Sequence, residues 1–463
     1  MKNRGERPNV LVFFTDQQRW DTTGVHGNPL GLTPNFDRVA LHGTHLYNAF
    51  TPQPVCAPAR SCFQTGQYAT TTGVWRNHLA IKEDAVTLAT CFGKAGYDTG
   101  YIGKWHLGGV EPGIFDWKKQ QPVPKSRRGG YEYWLGADLP EFTSDEYHTV
   151  LFDNDNNPVR LPGYRVDAYT DAAIRFITKE ERSRPFFLFL SFLEPHHQNH
   201  RDAFAAPDGY ADPYVGAWMP PDLQALGCTA AASLPGYYGM VRKLDEAFGR
   251  ILDVLKSMDV LDNTIVMFTS DHGNHFRTRN AEYKRSCHES SIRIPAAIQG
   301  PGFDGGGRVP ALTSIIDFAP TLLDAAGLAV PSTMQGRSLM PIIRRQTNEW
   351  PKDVLIQISE DTVGRALRTK RWKYGVTATH LDGTKFSTSD RYEETFLYDL
   401  RSDPYELVNL INYSSHDAVR ASLCKRLIKR IVESGENAPT ISPAESSNKG
   451  IDQRLVFDNE ILE

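Results

Sequence analysis

The chain has 463 residues, 40% of them hydrophobic and 23% charged, with a formal net charge of −4. That composition excludes a disordered or fibrous chain and suits a large α/β domain with a smaller appendage. No basic stripe accompanies the acidic balance, which argues against a nucleic-acid partner but not against a small anionic substrate, since a few local cations set the potential of a pocket. No apolar run reaches the length of a membrane span and residues 1–8 lack a signal-peptide core. The expectation is a cytoplasmic protein without membrane contact, or a periplasmic or secreted one if a leader has been trimmed.

Four apolar, β-rich runs organise the first part of the chain, and each stops at polar residues of unusual type. Asn9–Phe14 ends at Thr15-Asp16-Gln17-Gln18, and Tyr97–Ile102 ends at Gly103-Lys104-Trp105-His106-Leu107-Gly108. Phe186–Leu193 ends at Glu194-Pro195-His196-His197, and Thr264–Phe268 ends at Thr269-Ser270-Asp271-His272-Gly273. Nearly continuous apolar runs suit central strands covered by helices on both faces. Helical periodicity over Thr87–Ala95, Tyr169–Glu181 and Gly236–Met258 lies between them, so the alternation predicts a mostly parallel sheet. Ligands of such sheets gather beyond the carboxyl ends of the strands, which predicts one site. After about Pro351 the pattern changes to short strands over Asp353–Ile358, Ala366–Val376 and Glu394–Leu400, then an amphipathic helix over Asp417–Glu433. These divide the chain into residues 1–350 and a subdomain, 351–463, expected mostly to pack while lending a loop able to close over the substrate; its polar tail from Ser434 is expected to drape on the surface or be mobile.

Asp16 with Gln17, and Asp271 with His272, are adjacent pairs at two strand ends. A hard cation needs oxygens converging from separate elements, whereas either Asp alone would suit a helix N-cap. Cys56 precedes Pro58, a residue suited to a first helical turn, so the thiol is expected at a helix N-terminus where an anion is favoured. The residues alone leave two readings open: a thiolate nucleophile of lowered pKa, or an inert cysteine in a turn. Cys62, Cys91, Cys228, Cys287 and Cys424 show no zinc spacing and read as inert thiols.

Cys56-x-Pro58-x-Arg60 followed by Thr65-Gly66 resembles the signature of the type I sulfatases of the alkaline phosphatase superfamily, whose cysteine becomes formylglycine (3-oxoalanine). The segments around Asp16, Lys104-Trp105-His106, Ser270-Asp271-His272-Gly273, Tyr283–Pro295 and Leu397-Tyr398-Asp399-Leu400 resemble further motifs of that family in the right order. Gln64 departs from it, standing where Leu or Met is usual. The resemblance implies a three-layer α/β/α sandwich with a large, mostly parallel mixed sheet, plus a C-terminal α+β subdomain with a short antiparallel sheet. It implies a divalent metal held by Asp16, Gln17, Asp271 and His272 and touched by formylglycine from Cys56. Calcium is the usual family metal; Gln17 and His272 replace the Asp and Asn of many relatives, making the site softer and leaving magnesium and manganese open. By the same resemblance Lys104 and Lys284 hold sulfate oxygens, His196 protonates the leaving oxygen, His106 deprotonates the second hydroxyl, and Arg60 fixes the formylglycine. A formylglycine-generating maturation enzyme is the implied partner.

The outer pocket is less legible. Trp75-Arg76-Asn77-His78 and His197-Gln198-Asn199 suit a sugar, while Arg277 and Arg279 suit a second anion such as a uronate carboxylate. The implied activity is hydrolysis of a sulfate monoester on a small molecule or oligosaccharide, a sulfated carbohydrate rather than an aryl sulfate. The rivals are a phosphonate or phosphate diester hydrolase of the same superfamily and a non-catalytic sulfoglycan-binding protein. A zinc-dependent phosphomutase or alkaline phosphatase relative would carry Ser or Thr at position 56.

Overall fold

Strand β1 (Asn9–Thr15) shows why an unbroken apolar run belongs at the centre of a sheet. In this computed structural model every one of its residues is buried. Val10, Val12 and Phe14 enter one apolar cluster, while Leu11 and Phe13 enter another. Side chains alternate across a strand, so both faces of the sheet are covered. The first cluster takes in Phe63, Phe92 and Leu322 from helices Cys56–Thr65, Leu88–Lys94 and Phe318–Ala325. The second takes in Phe36, Phe176 and Phe248 from helices Pro34–His42, Arg165–Ile177 and Ala230–Ser257. The result is three layers, helix on sheet on helix.

The structure describes residues 7–111, 116–179, 182–227, 229–347 and 349–445. Cys228, the Glu180–Glu181 end of one expected helix and the tail beyond residue 445 lie outside the described residues. The other main-sheet strands are β2 (Thr44–Phe50), β3 (Asp98–Lys104), β4 (Tyr133–Ala137), β5 (Thr149–Phe152), β6 (Pro158–Leu161), β7 (Phe186–Ser191), β8 (Thr264–Ser270), β9 (Arg293–Ile294), β10 (Ala296–Gln299) and β11 (Gly307–Ser314). Their order is β11-β2-β10-β8-β1-β7-β3-β4-β5-β6, with β9 beside β2. β8, β1, β7, β3 and β4 run parallel, β10 is antiparallel to its neighbours, and β5 and β6 form an antiparallel hairpin edge. The sheet is therefore mixed around a parallel centre, and the four expected runs are its β1, β3, β7 and β8.

A second sheet, β12 (Asp353–Ile358), β13 (Gly364–Thr369), β14 (Trp372–Thr377), β15 (Arg391–Asp399) and β16 (Thr440–Ser442), follows in sequence order. Val419, Leu423, Leu427 and Ile431 are the buried stripe of helix Asp417–Glu433, spaced to share one face. The described part of the tail corrects the expectation of a loose segment. β16 pairs in parallel with β15, which makes this sheet mixed rather than purely antiparallel. Glu436 meets the fully buried Arg365, accepting from its Nη2 at 2.7 Å and from its Nε at 3.1 Å. Gln357 Nε2 adds a third donor to Glu436 at 2.7 Å. Among the described residues no helix is long and apolar enough to cross a membrane.

Glu436→Ala strands the Arg365 guanidinium without its counter-charge, and is expected to cost about 3–5 kcal/mol in chemical unfolding. Glu433→Ala, which removes pairs with Lys429 and Arg430 but leaves Arg430 its bond to Asp353, should change the same midpoint by less than about 1 kcal/mol.

Candidate active site

The parallel centre delivers its strand ends to one place, and backbone hydrogen bonds carry the ladder a residue or two further. Asp16 N–H donates to Glu194 O at 3.1 Å and Asp271 N–H to Thr15 O at 3.2 Å. Gln17 then turns sharply at φ 68°, and His106, past the end of β3, at φ 57°. Non-glycine residues in this region are sparsely populated and mark places where the surroundings dictate the backbone.

Cys56 is the first residue of helix Cys56–Thr65, all of whose residues are buried. Val55 before it offers no side-chain cap. The Asn77 carboxamide takes that part from outside, its Oδ1 accepting the Ala57 N–H at 3.1 Å. Cys56 Sγ lies 2.8 Å from Lys284 Nζ, 3.3 Å from His272 Nε2 and 3.6 Å from Asp16 Oδ1. One turn along the same helix, Arg60 reaches the far side of the cluster. Its Nη1 donates to Lys104 O and Ser191 Oγ, and its Nη2 to Asp16 Oδ2 at 2.9 Å and Asp271 Oδ2 at 3.3 Å. Arg60 thus acts on position 56 through the two carboxylates. Lys104, fully buried, stands between Asp16 Oδ2 at 3.0 Å and Glu141 Oε1 at 3.1 Å.

Donor atoms of Asp16, Cys56, Asp271 and His272 lie within 4.8 Å of one another, all buried. The His272 Nδ1–H donates to Gly273 O at 2.9 Å, which leaves its Nε2 lone pair facing the cluster. Two carboxylates, an imidazole nitrogen and the Cys56 sulfur form a donor set that fits a divalent cation. Gln17 adjoins the set, its Oε1 3.2 Å from Lys284 Nζ and its buried Nε2 without a partner.

Electrostatics separates the groups. Burial opposes ionisation of Asp16, but Lys104 foremost, with Arg60 and Lys284, holds it well below the usual carboxylate range. Asp271 is pushed up to about 7, first by burial and then by the charge of Asp16. A cation bound at this cluster would favour ionisation of both carboxylates. Burial, followed by the Asp16 charge, pushes the Cys56 thiol up to about 12. That corrects the thiolate reading: a helix start and a neighbouring ammonium do not overcome desolvation here. His106 is held well below its ordinary value by burial and Lys104, and neither ring nitrogen has a partner. His196 is held low by burial and Lys284; its Nδ1 lies 2.6 Å from His197 O, and its ring stacks on that of His197 at 4.3 Å.

The outlying expectations fall in different places. His197 packs between His196 and Tyr283, the latter at 4.5 Å. Arg277 is exposed, stacks on Tyr283 and donates to Asp202 at 2.8 Å. Arg279 donates to the Glu406 and Tyr405 carbonyls, anchoring the loop after β15 rather than facing the cluster.

Two residues escaped the sequence reading. Glu141 lies in the turn after β4, and its Oε2 is buried without a partner. Glu360, from the turn after β12, accepts the Asn77 N–H on Oε1 at 2.5 Å and pairs with Arg285 through Oε2 at 2.6 Å. Arg285 N–H in turn donates to Pro54 O at 3.2 Å. One carboxylate of the small sheet therefore holds both the cap of the Cys56 helix and the segment bearing Lys284. Its backbone, like those of His78 and Arg285, is left-handed, with φ values of 68°, 63° and 72°.

A cysteine at a buried helix start, a donor cluster that could hold a divalent cation and two lysines at the carboxyl edge of a parallel sheet suit the hydrolysis of esters of tetrahedral oxyanions. The chain belongs to the sulfatase family, the sulfuric ester hydrolases: the Sulfatase family model matches residues 8–328, and the N-sulphoglucosamine sulphohydrolase C-terminal model matches residues 281–433. The Ulvan-active sulfatase of Formosa agariphila is 29% identical over 450 residues, spanning 93% of this chain and 82% of that protein. The N-acetylglucosamine-6-O-sulfatase of Bacteroides thetaiotaomicron is 24% identical over 517 residues, spanning 95% of this chain and 88% of that protein. The crystal structure of the Bacteroides fragilis YidJ protein superposes with a TM-score of 0.82 at 25% identity, covering 94% of this chain and 98% of that one.

Two outcomes follow. In folded protein carrying an unmodified Cys56, iodoacetamide at about pH 8 should leave that residue unlabelled while labelling it fully after denaturation, read by peptide mass spectrometry. Glu360→Ala should lower kcat/KM on the order of 100-fold through misplacement of Asn77 and Lys284, with Glu360→Gln in between.

Proposed function

We propose that this sulfatase hydrolyses a sulfate monoester carried on a carbohydrate, with Cys56 oxidised to formylglycine and calcium as the divalent cation. The observation that carries the reading is the convergence of Asp16, Cys56, Asp271 and His272 within 4.8 Å, with Lys284 Nζ 2.8 Å from the position-56 sulfur. The names of the Formosa and Bacteroides thetaiotaomicron relatives support a sugar substrate. A formylglycine also answers the chemistry of the site, since the unmodified thiol, held near 12, is a poor nucleophile at neutral pH.

Asp16, Asp271 and His272 would hold the cation, with Gln17 beside them; the cation supplies charge to polarise the attacking oxygen and a sulfate oxygen. Position 56, hydrated as an aldehyde, offers one hydroxyl for attack on sulfur and a second whose deprotonation releases sulfate. Lys284 and Lys104 bind sulfate oxygens and stabilise the charge that moves onto them in the transition state. His196 faces the leaving oxygen; an anionic ester beside it opposes the effect of Lys284 and favours the imidazolium needed for donation. His106, kept neutral by burial, accepts the proton from the second hydroxyl. Arg60 keeps Asp16 and Asp271 in register throughout.

Peptide mass spectrometry should show residue 56 lighter by the replacement of CH2–SH with CHO, in protein made alongside a formylglycine-generating enzyme. That protein should turn over sulfated monosaccharides, lose activity on chelation, and regain it with calcium more fully than with magnesium or manganese. Cys56→Ala should abolish turnover, and His106→Ala should reduce it by about 10²–10⁴. A specificity constant orders of magnitude higher for a phosphonate monoester than for any sulfate ester would overturn the reading, as would an unmodified, inactive Cys56 in protein that still binds sulfated sugars.

A further inference from the structure

The outer edge of the main sheet is β11, which pairs with β2 on one side only. Its ladder slips between Val309 and Leu312, at Pro310, whose carbonyl accepts from Asn48 Nδ2 at 2.8 Å. A proline and a bulge protect an edge strand from pairing with another chain, and bulges also re-aim side chains where a surface is used.

Beside the bulge lies a groove of about 630 Å³, within the size range of small-molecule sites. Its floor is apolar, formed by Val309, Ala311, Leu312, Ile342, Ile343 and Trp350. The half-buried Trp350 ring is fixed in place by its indole N–H, which donates to Leu312 O at 2.7 Å. The charged lining is of one sign: Arg308, Arg345, Lys352 and Lys370, with no Asp or Glu among the lining residues. These cations come from β11, the loop before Trp350, the approach to β12 and the turn between β13 and β14. All four are exposed, and none forms an ion pair among the described residues. The patch opposes the overall charge of −4, so it concentrates anions on a protein that otherwise repels them. The groove shares no lining residue with the Cys56 centre.

A fixed indole and aliphatic floor suit the C–H faces of pyranose rings, and a rim of cations without acidic partners among the described residues, Arg308 being stacked on Tyr47, suits their sulfate or carboxylate groups. A second copy of the chain fits less well, because a two-fold contact would set four cations against four. We propose that the groove is a second carbohydrate-binding site, which holds a sulfated or otherwise anionic oligosaccharide away from the residue being desulfated. The proposal rests on the reading of a sulfated carbohydrate as substrate. A chain long enough to reach both sites would be held at two points and a small ester at one, so the groove would lower KM for such chains only.

The test compares Cys56→Ala protein with the same protein also carrying Arg308→Gln, Arg345→Gln, Lys352→Gln and Lys370→Gln. Isothermal titration uses a heparin hexasaccharide and dextran sulfate as probes, with unsulfated dextran as control. The expected result is a salt-sensitive binding event for at least one sulfated probe that weakens roughly tenfold or more in the fourfold variant, with no binding of dextran. In the active enzyme the four substitutions should leave kcat/KM for a sulfated monosaccharide unchanged and raise KM for sulfated chains. Equal affinity of the two proteins, no binding of either sulfated probe, equal binding of dextran, or a dimer that dissociates in the fourfold variant would each overturn the proposal. Failure of the substrate reading is seen separately, as absence of turnover on every sulfated sugar.

Discussion

Two carboxylates lie side by side with no access to solvent, and the arrangement of the centre answers to that constraint. Charges of one sign cannot share a dry cavity without counter-charges, so Arg60 bridges Asp16 and Asp271 while Lys104 takes the second oxygen of Asp16. Lys104 then needs Glu141, and Lys284 completes the ring from the opposite side. Asp16, Asp271 and Lys104 sit at the ends of three strands, Glu141 on a short helix after a fourth, Arg60 on the helix Cys56–Thr65 and Lys284 on a loop. The parallel sheet is what brings them together, since five aligned strands deliver five carboxyl ends to one edge.

The smaller sheet belongs to the same constraint. Glu360 holds Asn77 and Arg285, and Ser359 Oγ donates to Trp75 O at 2.7 Å. Further out, Glu289 receives Arg368 at 3.1 Å and Lys373 at 2.7 Å, and Lys373 also pairs with Glu406 at 2.8 Å. These buried pairs join the segment that carries Lys284 to strands β13 and β14. A subdomain expected mostly to pack, apart from a loop able to close over the substrate, therefore fixes one wall of the centre.

The central strands were legible because burial on both faces demands an apolar residue at every position, a demand that Val10 to Phe14 meet without exception. The flanking strands were not. Thr44-His45-Leu46-Tyr47-Asn48 of β2 mixes polar and apolar residues because its neighbours include side chains such as Arg293 and Arg308, both stacked on Tyr47. The convergence of Asp16, Asp271 and His272 was visible as two adjacent pairs at strand ends, and the place of Cys56 among them through its motif. Glu141 and Glu360 left no local trace, since a single carboxylate in a turn acquires its role only from partners such as Lys104, 37 residues away, or Asn77, 283 away. The state of the thiol stayed open for a related reason: sequence shows the helix start, but the burial and charges that govern Cys56 involve residues distant in sequence, among them Asp16, Lys104, Asp271 and Lys284.

The burial of Cys56 also bears on the history of each molecule. Position 56 is 1% exposed and locked into a helix whose first turn is capped by Asn77, which is itself held by a loop from the far end of the chain. Any reagent or enzyme that acts on this side chain has to reach it before the packing is complete, or through local unfolding that releases the helix start. Were position 56 modified as proposed, the docking of the C-terminal sheet would close the interval in which that can happen.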